Sequence, residues 1–217
     1  MAIKVFYHVC AINHCMMVVD DYVTKMRYSG LYDACDTVYV CISGEQGLAD
    51  AVAMFLQRSG KKYRVIANKP GDAQYERLTL HSMFEHVNPE DLVLYTHSKS
   101  VSHPGFPQRL RDWVDLMHFH LIARWRKCVE LLTHDVDVVG TMYTDSPEPH
   151  FSGNFWWARG DYFLTLPRTI GPGYYDPELK FLFASSPRKV CLGTMITRGP
   201  FDGYNYPPIA YADDIKI

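Results

Sequence analysis

The chain has 217 residues and a formal net charge of −2 at pH 7, from 22 basic and 24 acidic residues. Hydrophobic residues make up 47% and charged residues 21% of the sequence, which is typical of a globular protein and excludes a disordered or fibrous one. Because the charges alternate and form no basic stripe, a nucleic-acid partner is excluded as well. We expect one domain over residues 1–217; its end at Ile217, without a polar tail, leaves open that it is the N-terminal domain of a longer protein.

The six cysteines lie mostly inside apolar runs, without the close pairs of a zinc ribbon or a redox motif, and we expect buried free thiols. The first ten residues lack the uninterrupted apolar run of a signal peptide. No apolar stretch reaches the roughly 18 residues that a transmembrane helix needs. The sequence therefore predicts a soluble protein of a reducing compartment, the cytoplasm, with no transmembrane segment.

The first half of the chain alternates short apolar strands with helical stretches. Runs of β-branched and aromatic residues predict the strands, and apolar residues three and four apart predict the helices. The predicted strands are 3–9, 37–42, 63–67 and 92–95, and the predicted helices are 15–28, 48–57 and 74–87. This alternation predicts an α/β fold with a mostly parallel sheet and helices on both faces. Ligands of such sheets bind at the carboxyl ends of the strands.

The second half begins with a long amphipathic stretch, residues 108–133, whose apolar residues recur at the period of a helix. The elements predicted after it are strands 136–142 and 153–158, a helix over 177–184 and a strand over 189–196. The sheet is thus expected to contain about six strands.

Polar residues follow three of the predicted parallel strands: residues 8–13, Ser43 with Gly44, and residues 96–100. Because the carboxyl ends of parallel strands meet at one edge of a sheet, we expect these residues to share one crevice. The chain has neither a G-x-x-x-x-G-K-[ST] loop nor a G-x-G-x-x-G turn. A phosphate bound here would therefore need a metal ion or a basic side chain.

The segment after the fourth strand offers a metal ligand and a basic side chain. His97 can ligate a metal, Lys99 can hold a phosphate as a point charge, and Thr96 and Ser98 offer hydroxyl groups. This mixture suits a diphosphate and a divalent cation. The alternative is that Thr96 and Ser98 only cap a turn and that Lys99 is solvated.

The stretch 150–157, HFSGNFWW, combines a glycine, an amide and adjacent aromatic residues. A pyranose stacks its C–H face on an aromatic ring and donates hydroxyl groups to an amide. We therefore predict a sugar or acceptor surface with Asn154 and Trp156 at its centre. The candidate surface consists of Gly153, Asn154, Phe155, Trp156 and Trp157. The alternative is that Phe155 and Trp157 fill the core with the period of two of a strand.

Asp176 and Glu178 are the candidate catalytic carboxylates, at the start of the last predicted helix. For Asp176 the alternative to a catalytic role is that it simply caps the helix, whereas Glu178 can face the crevice as a general base toward an acceptor hydroxyl. Other acidic and histidine pairs are set aside. Asp135 and Asp137 begin a strand, at the end opposite the binding edge. His118 and His120 lie two apart on a helix and cannot chelate one ion together, and Asp213–Asp214 stays undecided.

Two motifs at this separation resemble those of glycosyltransferases with the GT-A fold. These are Y-x-H-S-K, residues 95–99, and S-G-N-F-W-W, residues 152–157. The whole chain resembles the N-terminal domain of a chlorella-virus (PBCV type) glycosyltransferase. The pair of motifs is fairly specific, whereas either motif alone would be weak. The resemblance implies a single-domain GT-A, Rossmann-like fold and a viral protein that acts in the host cytoplasm.

The resemblance further implies a UDP-sugar donor, Mn²⁺ or Mg²⁺ as cofactor, and transfer of the sugar to a hydroxyl of a glycan or glycoprotein acceptor. The residues that it places around the nucleoside are His8, Cys10, Ala11, Asn13, Tyr75, Glu76 and Thr79. The chain departs from most relatives in having Thr96-His97-Ser98 where they have D-x-D. A site whose only protein ligand is His97 favours Mn²⁺ over Mg²⁺, and the donor diphosphate must complete the coordination.

Two other classes of function compete with glycosyl transfer. A non-catalytic nucleotide- or carbohydrate-binding module would keep the cleft and lack turnover. A metal-dependent phosphohydrolase is disfavoured because the strand ends lack its clusters of aspartate and histidine.

Overall fold

The structure is a computed structural model that describes residues 1–71, 75–103, 105–193, 205–208 and 211. Over these residues the fold is α/β, as predicted, with a mainly parallel central sheet between two layers of helices. The strands in chain order are β1 (Ile3–Ala11), β2 (Thr37–Gly44), β3 (Tyr63–Pro70), β4 (Leu92–His97), β5 (Val138–Thr141), β6 (Tyr143–Thr144), β7 (His150–Phe151), β8 (Trp156–Arg159) and β9 (Lys189–Leu192). Seven of them form the central sheet, and β6 and β7 pair in a separate ribbon.

The helices carry the amphipathic pattern that the sequence predicts, and their apolar faces cover the sheet. In chain order they are α1 (Cys15–Tyr28), α2 (Leu31–Ala34), α3 (Gln46–Ser59), α4 (Arg77–Met83), α5 (Gln108–His118), α6 (Trp125–Leu132), α7 (Gly160–Phe163) and α8 (Asp176–Leu179). A π-helical turn, Phe119–Ala123, lies between α5 and α6.

The order of strands in the central sheet is β3-β2-β1-β4-β8-β5-β9. β1 runs parallel to both of its neighbours, β2 and β4, and His8 lies opposite Cys41 and His97 in the register. The carboxyl ends of these three strands therefore meet at one edge, as expected for the binding side of a parallel sheet. β8 is antiparallel to β4 and to β5.

Two apolar clusters form the core, one on each face of the sheet. Alternate residues of a strand point to opposite faces, so Tyr7 belongs to the cluster under α1, α3 and α5, and its neighbour Phe6 belongs to the cluster under α4 and α7. In β8, Trp157 packs into the first cluster and Trp156 into the second, each with no exposed surface. Central strands are thus covered on both faces.

Several predicted boundaries in the second half of the chain are wrong. The single helix predicted over 108–133 is two α-helices joined by the π-helical turn. The helix predicted over 177–184 ends at Leu179, and the strand predicted from Gly153 begins at Trp156, because Gly153 and Asn154 form a turn with positive φ. The predicted strand 189–196 is formed at Lys189–Leu192, and residues 194–196 lie outside the described residues.

The six cysteines are free thiols, as predicted, and four of them are buried. The described helices include none that is long and apolar enough to cross a bilayer.

Candidate functional site

A cleft of about 610 Å³ opens at the carboxyl ends of β1 and β4. His8 and Cys10 line it from β1, and His97 lines it from the last position of β4. Loops from the second half of the chain form the opposite wall. The lining also includes Tyr75, Glu76, Ser98, Lys99, Trp113, Tyr174, Tyr175 and Glu178. The cleft is therefore at the edge where the sequence places the binding site.

His97 lies at the floor of this cleft, with only 8% of its surface exposed. Its Nδ1 atom is 3.4 Å from Oε2 of Glu76 but makes no hydrogen bond among the described residues. Burial holds the pKa of His97 well below its usual range, the nearby Lys99 ammonium lowers this pKa further, and Glu178 opposes both effects. The imidazole is therefore neutral at neutral pH and keeps a lone pair for an electrophile.

Glu76 is held in place by two hydrogen bonds to one of its oxygens. Oε2 accepts from the hydroxyl of Tyr95 at 2.9 Å and from Nδ2 of Asn154 at 2.6 Å. Burial and the adjacent carboxylate raise the pKa of Tyr95 well above its usual range, so its hydroxyl stays protonated and donates. These contacts fix a carboxylate beside the imidazole of His97, in the manner of outer-shell support for a metal ligand.

Lys99 and Glu178 face each other across the cleft. Nζ of Lys99 is 3.9 Å from Oε2 of Glu178 and 5.0 Å from the centre of the Trp113 ring. The other oxygen of Glu178 accepts the backbone N–H of Gly153 at 2.6 Å. Both side chains are less than one fifth exposed. The cleft thus has a cation and a carboxylate close to the imidazole.

Several residues that were predicted to bind the nucleotide sugar, on β1, β2 and α4, form a hydrogen-bonded layer beneath the cleft. His8 bonds through Nδ1 to the hydroxyl of Thr79 at 3.0 Å and lies 3.4 Å through Nε2 from that of Ser43. Burial lowers the pKa of His8 to about 4. The backbone N–H of Cys10 donates to the hydroxyl of Ser98 at 2.8 Å. Thr79 and Ser43 therefore orient His8, and they do not line the cleft themselves.

Four other predicted residues do not line the cleft. Ala11 is fully buried, and the side chain of Asn13 donates to the carbonyl of Val101, which ties two loops together. The hydroxyl of Thr96 donates to that of Tyr22 in α1. It points away from the cleft because alternate residues of a strand face opposite sides, and its neighbour His97 faces the cleft. Asp176 is not a catalytic candidate in this geometry.

The carboxylate of Asp176 instead fastens a loop. It accepts the backbone N–H of Gly173 at 2.8 Å and lies 3.1 Å from the ammonium of Lys180. Both contacts lower the pKa of Asp176. A Cβ atom at Gly171 or Gly173 would require this carboxylate to move.

The prediction of a sugar surface on Phe155, Trp156 and Trp157 is wrong in this structure. All three side chains are at most 1% exposed, because β8 lies between β4 and β5 and both of its faces are covered. Asn154 is also buried, and its amide joins Glu76 to the indole N–H of Trp156. Asn154 and the backbone of Gly153 thus position carboxylates of the cleft, and the tryptophans support them from the core.

Exposed aromatic rings are present elsewhere, at the mouth of the cleft. Tyr75, Tyr174 and Tyr175 are 46%, 63% and 63% exposed, and their ring centres follow one another at 5.5 and 4.9 Å. The buried Arg77 donates to the carbonyls of Gly171 and Gly173 and holds this loop. We call these three residues the tyrosine platform.

The sequence reasoning included Tyr75 and missed the other two members of the platform. The signal available in the sequence is the run Gly171–Tyr175, GPGYY, in which two aromatic residues follow a glycine- and proline-rich turn. Aromatic residues in such a turn are poor candidates for the core, because connecting segments lie on the surface.

Three pairs of acidic or histidine residues were not predicted to form the binding site, and the structure describes two of them. Asp135 and Asp137 lie away from the cleft and pair with Arg188. His118 and His120 do not point to a common centre, but His118 approaches Asp21 and Asp115, and one ligand atom from each of these three lies within 4.8 Å of the others. Asp213 and Asp214 lie outside the described residues.

Comparison with known proteins identifies a family and distant structural similarities. A family model described as a domain of unknown function (DUF8361) matches residues 12–186. No curated protein sequence matches the chain. Among solved structures, the chain is similar to 4-diphosphocytidyl-2C-methyl-D-erythritol synthase from Anaerococcus prevotii, with 11% sequence identity, a TM-score of 0.40, and coverage of 75% of this chain and 72% of that one.

Proposed function

The chain belongs to the DUF8361 family, and we propose that it is a metal-assisted glycosyltransferase that moves a sugar from a UDP-sugar to a hydroxyl of a glycan or glycoprotein. The observation that carries this proposal is the pairing of His97 with Glu76 at the floor of the cleft, next to Lys99. An imidazole, a carboxylate and an ammonium at the carboxyl ends of parallel strands suit a diphosphate and a divalent cation.

The residues present fit a divalent ion. Nδ1 of His97 has no hydrogen bond among the described residues and lies 3.4 Å from Oε2 of Glu76. Two ligands that are each about 2.1 Å from one ion are separated by about this distance at a tetrahedral angle. A mixed nitrogen and oxygen pair favours Mn²⁺ over Mg²⁺. When bound, the ion would act as a Lewis acid toward the diphosphate.

Lys99 supplies the second positive charge toward the diphosphate. Its ammonium lies in a partly buried wall, where water screens it less than at a free surface. During transfer, the acceptor oxygen forms a bond to the anomeric carbon while the bond from that carbon to the diphosphate oxygen breaks. Lys99 then stabilises the charge that develops on the departing UDP.

Glu178 is the candidate base for the acceptor hydroxyl. Its Oε1 is held by the N–H of Gly153, which leaves Oε2 to face Lys99 and the cleft. In an inverting transfer, Oε2 would take the proton of the acceptor hydroxyl as the new glycosidic bond forms. A donor bound between Lys99 and His97 would lie within reach of this carboxylate.

The tyrosine platform supports a ligand with a flat, apolar face. Arg77 holds the backbone of the loop that carries Tyr174 and Tyr175, and exposed aromatic rings at this place can stack on a nucleobase or a sugar. The platform adjoins Glu76 through Tyr75. We infer that it receives the uridine or sugar portion of the donor while the diphosphate lies deeper, at His97 and Lys99.

The first test is calorimetric titration of UDP with and without Mn²⁺. We expect Mn²⁺ to strengthen UDP binding to the native protein by at least 10-fold, because His97 and Glu76 would hold the ion where it can neutralise charge on the diphosphate. The His97→Ala variant should lose this gain. The His134→Ala variant, which alters an exposed histidine away from the cleft, should keep it. An equal gain in His97→Ala and the native protein would remove His97 from the site.

A non-catalytic nucleotide- or carbohydrate-binding module is the alternative. It is favoured by one observation: Glu178 already accepts a backbone N–H and faces an ammonium, which restrains it as a base. Turnover of the donor separates the two functions, since a module binds UDP-sugar without releasing UDP.

A further inference from the structure

We propose that Asp21, Asp115 and His118, together called the interhelix triad, form a second divalent-metal site that is separate from the cleft and takes Zn²⁺ or a similar transition metal. Asp21 lies on α1, and Asp115 and His118 lie three residues apart on α5, so both α5 side chains are on the face that meets α1. One ligand atom from each residue lies within 4.8 Å of the other two.

The Nδ1 atom of His118 faces this group without a hydrogen-bond partner among the described residues. Only 3% of the residue is exposed, and its Nδ1 atom, 4.0 Å from Oδ2 of Asp21, makes no hydrogen bond among the described residues. A buried nitrogen of this kind costs free energy unless it is bound. A metal ion between the helices would bind it.

The triad already holds a positive charge. Nζ of Lys25 lies 2.6 Å from Oδ2 of Asp21 and also contacts Oδ1 of Asp115. The ammonium satisfies the two carboxylates, whereas the described contacts leave Nδ1 of His118 without a hydrogen bond. A metal ion that replaces the ammonium would engage all three ligand atoms. Lys25 is 29% exposed, so its flexible side chain can turn into solvent.

The site has access and open coordination positions. A second cavity of about 180 Å³ reaches Asp21 and Asp115 from the surface, between Met17 and Phe106. One imidazole and two carboxylates are ligands that Zn²⁺ accepts. Three protein ligands leave a fourth position for water or another molecule.

The interhelix triad and the cleft are distinct. Among the described residues that line the cleft, none belongs to the triad. The rings of His97 and His118 both pack on Phe155, the first edge-on with its centre 5.0 Å away and the second stacked with its centre 5.6 Å away. Binding at the triad therefore does not require a nucleotide, whereas the His97 site needs the diphosphate to complete its coordination.

The test is calorimetric titration of Zn²⁺ into the protein without nucleotide. We expect one site of at least micromolar affinity. The Asp115→Asn variant changes a side chain that is 43% exposed and should therefore fold; it is expected to weaken this site by 10-fold or more. The Lys25→Met variant removes the competing ammonium and should strengthen the site at least threefold.

The Glu76→Gln variant alters the cleft alone and is the matched control, which should keep the Zn²⁺ affinity of the native protein. An unchanged affinity in either Asp115→Asn or Lys25→Met would overturn the proposal. So would a loss of the site in Glu76→Gln, which would assign the ion to the cleft. Because no nucleotide is present, these outcomes are independent of whether the protein transfers sugar.

Discussion

Two buried imidazoles lie side by side at the edge of the sheet. His8 and His97 are register partners on β1 and β4, and burial lowers the pKa of both. Each ring is therefore uncharged at neutral pH. Two charged rings at this distance would repel each other and the ion that we propose at His97.

This pairing predicts acid sensitivity. The pKa of His8 is about 4 in the folded protein and about 6.5 in the unfolded chain. As the pH falls below about 6.5, the unfolded state therefore takes up a proton that the folded state does not, and this favours unfolding. The free energy of unfolding should fall by about 2 kcal/mol from His8 alone between pH 7 and pH 5. Urea unfolding at the two pH values measures it, and the His8→Gln variant should show a smaller fall. An equal fall in both proteins would refute the contribution.

At the residue scale, the position of a side chain could be predicted where its neighbours in the chain determine its surroundings. His97 and Lys99 follow a strand directly, so the sequence placed them at the binding edge. Trp156 also lies on a predicted strand, but this strand, β8, lies between β4 and β5 in the sheet. No local sequence pattern shows that both faces of the strand are covered. Tyr174 was missed although its own turn carries a local signal, because the contacts that hold this loop come from Arg77, which lies 94 and 96 positions before the carbonyls that it binds.

At the element scale, the turn from β2 into α3 packs against the end of β1. Gly44 has a φ of 109°, and a Cβ atom there would lie 2.6 Å from the carbonyl oxygen of Ala11. The obstacle is backbone of the neighbouring strand, which cannot move without shifting β1. Only glycine fits this position.

We therefore expect Gly44→Ala to lower the free energy of unfolding by roughly 2–4 kcal/mol, from backbone strain and overpacking together. The matched control is Gly47→Ala, because Gly47 lies in α3 with nothing within 4 Å of its Cβ position. There alanine should be neutral or stabilise the helix by up to about 1 kcal/mol. Chemical unfolding compares the variants, and equal stabilities would contradict the account of this turn.

Elements with strong local periodicity were predicted well. The sequence gives β1 to β4 and α1 from alternation and spacing alone, and α1 has the predicted bounds. The short elements were missed because tertiary contacts define them. The ribbon of β6 and β7 has two residues in each strand, and the π-helical turn interrupts a sequence that is amphipathic throughout.

At the scale of the whole molecule, the sheet topology explains why the site lies where it does. The strands β1, β2 and β4 are parallel, so their carboxyl ends lie at one edge of the sheet. Because β8 is antiparallel to β4, the turn with Gly153 and Asn154 that precedes β8 lies at the same edge. Through this turn, residues from the second half of the chain hold Glu76 and Glu178 in the cleft. The two motifs of the sequence thus meet in space, although the second one supports the cleft instead of lining it with tryptophan.

Transfer of a sugar from a nucleotide donor is the activity that we propose for this cleft. Its most direct test is the release of UDP from a panel of UDP-sugars, with Mn²⁺ and candidate glycan acceptors, by the native protein, His97→Ala and His134→Ala. We predict Mn²⁺-dependent release that falls by at least 100-fold in His97→Ala and is unchanged in His134→Ala. Tight binding of UDP-sugars without release of UDP, with every acceptor tried, would contradict the account and identify a binding module.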